Sequence, residues 1–192
     1  MKQDIILAGV GGQGILSIAY VIDHAALADG LFFKQAEVHG MAQRGGAVQS
    51  HMRLSDGTIW SDLIPKGEAD MILSVEPLEA LRYLDSLRPD GVVVTSSTPY
   101  RNIPDYPEVE RVLEALGRAP RSVVVDSEKL AREAGTVKAQ NVVLLGAAAS
   151  FLILKEESLR KTIEALFRNR GATVLEANLK AFELGKKAAL GS

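Results

Sequence analysis

Residues 5–22 constrain the chain most. The apolar run Ile5-Ile6-Leu7-Ala8 meets Gly9-Val10-Gly11-Gly12-Gln13-Gly14, and a second apolar run, Ile15 to Ile22, follows at once. A short unbroken apolar run bounded by glycine has the length and content of a parallel strand buried on both faces. The run behind the glycines continues as a helix. Strand, glycine turn and helix in succession make a layered α/β architecture the expectation. The helix start offers unpaired N–H groups and a partial positive charge, which favour an anion at that point.

Two readings of this turn follow from its residues. Gly9, Gly11 and Gly14 have the spacing of a dinucleotide fingerprint, in the strand–turn–helix context that such a fingerprint needs. That reading also requires an acid about 20 residues on, at the end of the second strand, to hold a ribose. Glu37 is the candidate, yet it opens a second glycine turn that an ordinary dinucleotide domain lacks. In the other reading the three glycines only permit a tight turn and close packing of the helix.

The second turn, His39-Gly40-Met41-Ala42-Gln43-Arg44-Gly45-Gly46, gathers an imidazole, an amide, a guanidinium and several glycines. Such a loop presents backbone N–H groups beside a fixed cation, which suits a carboxylate or a phosphate. Arg44 is the residue expected to contact the anion, with His39, Gln43 and Gly45 as neighbours. Gly11, Gly12, Gln13 and Gly14 form the facing rim. Pairing of Arg44 with Glu37, which would only brace the loop, is the competing account. Met41 is apolar in a polar loop, which fits a surface covered by a partner.

Composition removes whole classes of function. A length of 192 residues suits one domain with a full core. A net charge of −2 gives no footprint for nucleic acid. No apolar run approaches the ~20 residues that span a bilayer. Met1-Lys2-Gln3-Asp4 leads straight into a strand without a secretory signal, so the cytoplasm is the expected compartment. The chain has no cysteine, and thus no thiolate for an ordinary iron–sulfur cluster or a cysteine zinc site. His24, His39 and His51 lack the tight spacing of metal ligands, so no metal site is expected.

Along the chain, strands are expected at 3–9, 31–36, 48–54, 70–75, 91–96 and 122–126. Helices are expected at 12–29, 77–87, 108–118, 127–134, 142–154, 156–169 and 173–187. Asp56-Gly57 is a turn signal after which 59–61 is expected to pair back on 48–54 as a hairpin. Glu76 stands where strand 70–75 meets Pro77. It is read as a helix cap, or else as the holder of a loop or the face of a partner. Pro99, Pro104 and Pro107, with Tyr100 and Tyr106, mark residues 97–107 as an irregular excursion. The predicted fold is a three-layer α/β/α sandwich with a mostly parallel, Rossmann-like mixed sheet and an antiparallel hairpin insertion.

GVGGQGIL at 9–16 together with EVHGMAQRGGAVQSHMR at 37–53 resembles the small subunit of the 2-oxoacid:ferredoxin oxidoreductases. The wording EVHGMAQRGG is most similar to the beta subunit of indolepyruvate:ferredoxin oxidoreductase. Further likeness lies at Ile64-Pro65, Ala69-Asp70, Glu76 to Ala80, Asn141 to Ala147 and Asn178 to Gly185, so it covers nearly the whole chain. The resemblance implies a single gamma-type domain over 1–192, an accessory subunit of an enzyme that oxidatively decarboxylates a 2-oxoacid, and a larger partner subunit. Thiamine diphosphate and [4Fe-4S] clusters are then expected on that partner, coenzyme A as co-substrate and ferredoxin as electron acceptor, with no cofactor held by this chain alone. The site residues above become the rim of a substrate or coenzyme A entrance, and a surface built for a partner admits a homodimer in isolation. A free-standing nucleotide-binding dehydrogenase or regulatory module, and a purely structural interaction subunit, are the alternatives.

Overall fold

In the computed structural model, which describes residues 1–39 and 45–191 and only the backbone of His39, the first apolar run forms β1 (Lys2–Val10). From Gln3 onward every residue of β1 is buried. The side chains alternate between two cores, as the strand period of two requires. Ile5 and Leu7 join the larger cluster, and Ile6 the smaller one. The strand pairs with β3 (Ala47–Ser55) on one side and β4 (Ala69–Ser74) on the other.

The sheet has six strands in the order β2-β3-β1-β4-β5-β6, with β2 (Phe32–His39) at one edge. At the far side lie β5 (Leu87–Ser96) and β6 (Ser122–Val125). β1, β4, β5 and β6 are parallel, and β3 alone runs against its neighbours, β1 and β2. β2 therefore points the same way as β1, and both glycine turns open on the rim where the parallel strands end.

The larger core lies under α1 (Ile15–Ala28), α4 (Ser127–Ala134), α5 (Gln140–Ala148), α6 (Glu156–Phe167) and α7 (Ala172–Leu190). The smaller core lies under α2 (Pro77–Arg82) and α3 (Val109–Leu116). This is the expected α/β/α sandwich with a mixed sheet, and it is lopsided. α5 is buried all round from Asn141 to Ala148, which explains why its sequence has no polar face. α7 crosses it at backbone contact. A Cβ on Gly185 would stand 1.9 Å from the Val143 carbonyl oxygen, and one on Gly146 2.1 Å from that of Phe182.

Four local expectations change. α1 begins at Ile15 rather than at 12, because Gly14 is left-handed (φ 81°) and closes the turn before the helix starts. Residues 59–61 do not pair with β3, because both edges of β3 are already taken by β1 and β2. The antiparallel hairpin is β2–β3 instead, with the second glycine turn at its tip. Residues 61–64 are held by Arg53, which donates to the Ser61 and Leu63 carbonyls, and by His51, whose Nδ1 accepts from the Ile64 N–H. Arg88 to Gly91 belongs to β5 as a bulge: the register passes from Ala69–Leu87 to Met71–Val92. The extra length lets Arg88 reach Asp70 and Asp90. The expected helix 77–87 gives way after Arg82 to a single 3-10 turn, Leu84–Ser86.

Candidate functional site

The two glycine turns are laced together at the rim. Gly11 donates its N–H to the Gly46 carbonyl (2.8 Å), and Gly45 donates to the Gly11 carbonyl (3.2 Å). The register brings them there: β1 pairs with β3 up to Val10–Ala47, the last residue before one turn and the first after the other. Gln13 folds back into its own turn, where its Oε1 accepts the Val10 N–H (2.8 Å). Gly12 is exposed and left-handed (φ 101°), and its missing Cβ would point into open space. Gly14 is left-handed for a packing reason as well. A Cβ there would lie 2.5 Å from Asn141 Nδ2, which donates to the Gly14 carbonyl (3.1 Å).

Of the residues expected to form the site, Gly11, Gly12, Gln13, Gly14 and Gly45 are therefore brought together. The backbone of His39 ends β2, opposite Val48. Gln43 and Arg44 lie outside the described residues, as does Met41. Asn141 is the residue that motif reading missed as part of the site. Its only signal is an amide at the head of an otherwise apolar run, and it reaches the first turn across 127 positions of chain.

A cleft of about 800 Å³ opens beside the first turn, within the size range of small-molecule sites. Gly12, Gly14, Tyr100 and Asn141 belong to its lining, as do the cations Lys138, Arg170 and Lys180 and the carboxylates Glu128 and Glu176. Lys180 spends one hydrogen bond on the Glu133 carbonyl (2.7 Å), and Arg170 lies over the Phe167 ring (5.6 Å). The charged side chains of the lining are thus mixed in sign, and the start of α1 is the place in the cleft that favours negative charge.

The ribose-binding arrangement of a dinucleotide fold is not built here. That arrangement puts the acid-bearing strand next to the first strand. β3 separates β2 from β1, which holds Glu37 two strand spacings, roughly 9.5 Å, away from that strand. The Gly11 N–H is also engaged by the second turn rather than offered to a ligand.

Glu76 unites the two roles weighed for it. Its Oε2 caps α2 by accepting the Glu79 N–H (2.8 Å). Its Oε1 accepts the Tyr106 hydroxyl (2.5 Å) and the Tyr100 N–H (3.3 Å), so the same buried carboxylate holds the 97–107 excursion. Burial, and then the hydrogen bond to Glu76, keep the Tyr106 hydroxyl protonated far above its ordinary range. His24 stacks on Tyr20 (3.8 Å between centroids) and bonds the Tyr20 carbonyl through Nδ1 (2.9 Å). Among the described residues no three His, Asp or Glu side chains gather into a cation site, and no helix is long and apolar enough to cross a membrane.

With this geometry in hand the chain can be placed among known proteins. A subunit of indolepyruvate oxidoreductase from Pyrococcus horikoshii, IorB, is 39% identical over 98% of this chain and 97% of its own length. Pyruvate oxidoreductase subunit PORC of Thermotoga maritima shares the fold at a TM-score of 0.75 and 23% identity, covering 97% of this chain and 96% of its own. The 2-oxoglutarate:ferredoxin oxidoreductase of Magnetococcus marinus superposes on all of this chain at a TM-score of 0.78 and 23% identity, over 31% of its own chain. In that enzyme the fold is a part of a chain about three times as long. A sequence profile described as pyruvate ferredoxin/flavodoxin oxidoreductase matches residues 4–188, and with nearly the whole chain matched, the protein belongs to that family.

Proposed function

We propose that the chain is the small accessory subunit of an indolepyruvate-type 2-oxoacid:ferredoxin oxidoreductase of the cytoplasm. The observation that carries this reading is the near full-length likeness to an indolepyruvate oxidoreductase subunit. It is supported by a rim on which two glycine turns are joined by hydrogen bonds between Gly11 and both Gly45 and Gly46. The chain lacks cysteine, so its donor set does not fit a cysteine-ligated iron–sulfur cluster. [4Fe-4S] clusters and thiamine diphosphate belong, on this reading, to a larger partner subunit. Thiamine diphosphate would supply the decarboxylation chemistry there, and the clusters a route for electrons to ferredoxin.

The work left to this chain is to shape an entrance. On this reading the residues that do so are Gly11, Gly12, Gln13 and Gly14 of the first turn and His39, Gln43, Arg44 and Gly45 of the second. Arg44 meets the carboxylate of an aryl pyruvate or a phosphate of coenzyme A through paired N–H···O bonds. Water is excluded when the partner covers the rim, which strengthens each of these polar contacts. The test is anaerobic co-purification of the chain with its neighbours from native cells. The expected eluate contains a large subunit with thiamine diphosphate and iron, and reduces an electron acceptor when indolepyruvate and coenzyme A are added. A chain that elutes alone, or with a partner lacking both groups, overturns the reading.

A further inference from the structure

Residues 97–107 leave the sheet after β5 and cross the whole rim. The segment starts beside β6, where the Thr98 N–H is held by Ser96 Oγ (3.0 Å) and the Thr98 hydroxyl reaches Asp126 (3.4 Å). Thr98, Pro99 and Tyr100 then wall the cleft. The middle is pinned beneath by Glu76, 1% exposed, which accepts from the Tyr100 N–H and the Tyr106 hydroxyl. Beyond Tyr100, Asn102 Nδ2 donates to the Gly45 carbonyl (2.8 Å). The segment therefore ties the end of β4 to the second glycine turn, whose Gly45 N–H is itself bonded to Gly11.

Between the cleft wall at Tyr100 and the Gly45 contact at Asn102 stands Arg101. It is exposed, and its guanidinium lies 5.8 Å from the centroid of the Tyr106 ring. No carboxylate pairs with it among the described residues. A guanidinium within ~6 Å of an aromatic face is attracted by the ring quadrupole and keeps its N–H groups available to an anion.

We propose that residues 97–107 are a strap that sets the second glycine turn against the first, and that Arg101 binds an anionic group, carboxylate or phosphate, at the junction of cleft and rim. Glu76, Tyr106 and Asn102 are positioning residues of this strap. The role of Arg101 rests on the subunit reading above, whereas the strap does not.

The two parts are tested separately. In the isolated full-length chain, hydrogen exchange is followed at the Gly11 and Gly45 amides in the wild type, Tyr106→Phe and Asn102→Ala. Losing one strap bond speeds exchange at both amides roughly tenfold, while the Leu7 amide in the core of β1 keeps its wild-type rate. Unchanged exchange at Gly11 and Gly45 in both variants overturns the strap. In the assembled enzyme, Arg101→Ala raises one KM about tenfold with little change in kcat, and Arg101→Lys recovers part of the loss. A rise for the 2-oxoacid identifies the carboxylate as the anion, and a rise for coenzyme A identifies a phosphate. Wild-type values for both overturn the role of Arg101. A wild-type complex without 2-oxoacid activity removes the subunit reading and the role of Arg101 together, and the exchange data still judge the strap.

Discussion

Replacing Asp23 with Asn should stabilise the chain at neutral pH and not at acidic pH. Asp23 sits in α1 at 6% exposure, and its Oδ1 is buried without a hydrogen-bond partner among the described residues. Burial pushes its carboxyl from the ordinary 3.8 up to about 7. The folded chain thus holds this proton where the unfolded chain has released it. Below about pH 4 both states are protonated and the group contributes no pH dependence. Between about 4 and 7 stability falls as pH rises, and above 7 the loss is complete. Roughly three decades at about 1.4 kcal/mol each give an upper bound near 4 kcal/mol. Asn keeps the shape and cannot ionise, but it buries an amide whose own unmet hydrogen bonds cost about 1–3 kcal/mol at every pH. The diagnostic quantity is therefore the change in ΔΔG between pH 4.5 and pH 8, expected at about 2–4 kcal/mol in favour of the variant. Urea unfolding followed by far-UV circular dichroism measures it. Tryptophan fluorescence is a poor reporter here, because Trp60 is 89% exposed. A ΔΔG that is the same at both pH values would refute the argument.

Other perturbations probe packing, the ion pair under the loop and the rim. Gly185→Ala forces α7 off α5, since its Cβ would meet a backbone oxygen at 1.9 Å; overpacking against backbone should cost at least about 3 kcal/mol in the same urea assay, and a loss below 1 kcal/mol would show that the helices part freely. Arg53→Met leaves Asp4, 1% exposed, without its two-bond partner and frees the carbonyls of Ser61 and Leu63. Lys2 still pairs with Asp4 (2.8 Å), so a loss of about 1–3 kcal/mol is expected, with faster proteolysis near 60–63 as its local signature. Arg44→Ala in the assembled enzyme should raise the KM for the 2-oxoacid or coenzyme A by roughly tenfold or more; unchanged kinetics for both would remove Arg44 from the anion site. Titration of the isolated chain with NAD or FAD should give no saturable binding at millimolar cofactor, and tight binding would restore the dinucleotide reading.

Features governed by neighbouring residues were legible in the amino-acid sequence. β1, its glycine turn and the helix behind it follow from two apolar runs and their punctuation. Asp126 caps α4 by accepting the Lys129 N–H, as its place before a polar helix start suggests. Leu159, Ile163 and Phe167 in α6 and Phe182 in α7 are buried as a period of 3.6 requires, while Leu175 and Leu179, expected on the same stripe of α7, are only partly buried. The family too was legible, because two adjacent glycine motifs are a local pattern. Tertiary structure alone decided which strand lies beside which. Insertion of β3 between β2 and β1 is a matter of non-local pairing, and nothing in the period of β3 distinguishes a hairpin with 59–61 from the pairing that formed. From that placement follow the lacing of Gly11 to Gly46 and Gly45, and the loss of a dinucleotide geometry that the fingerprint by itself had allowed. The same holds for Asn141 under the first turn, Gly185 against Val143, and Glu76 holding both a helix and the strap. Each joins residues far apart in the chain, and such contacts are selected by burial and hydrogen bonding in three dimensions, which leave no mark on the spacing of residues along one.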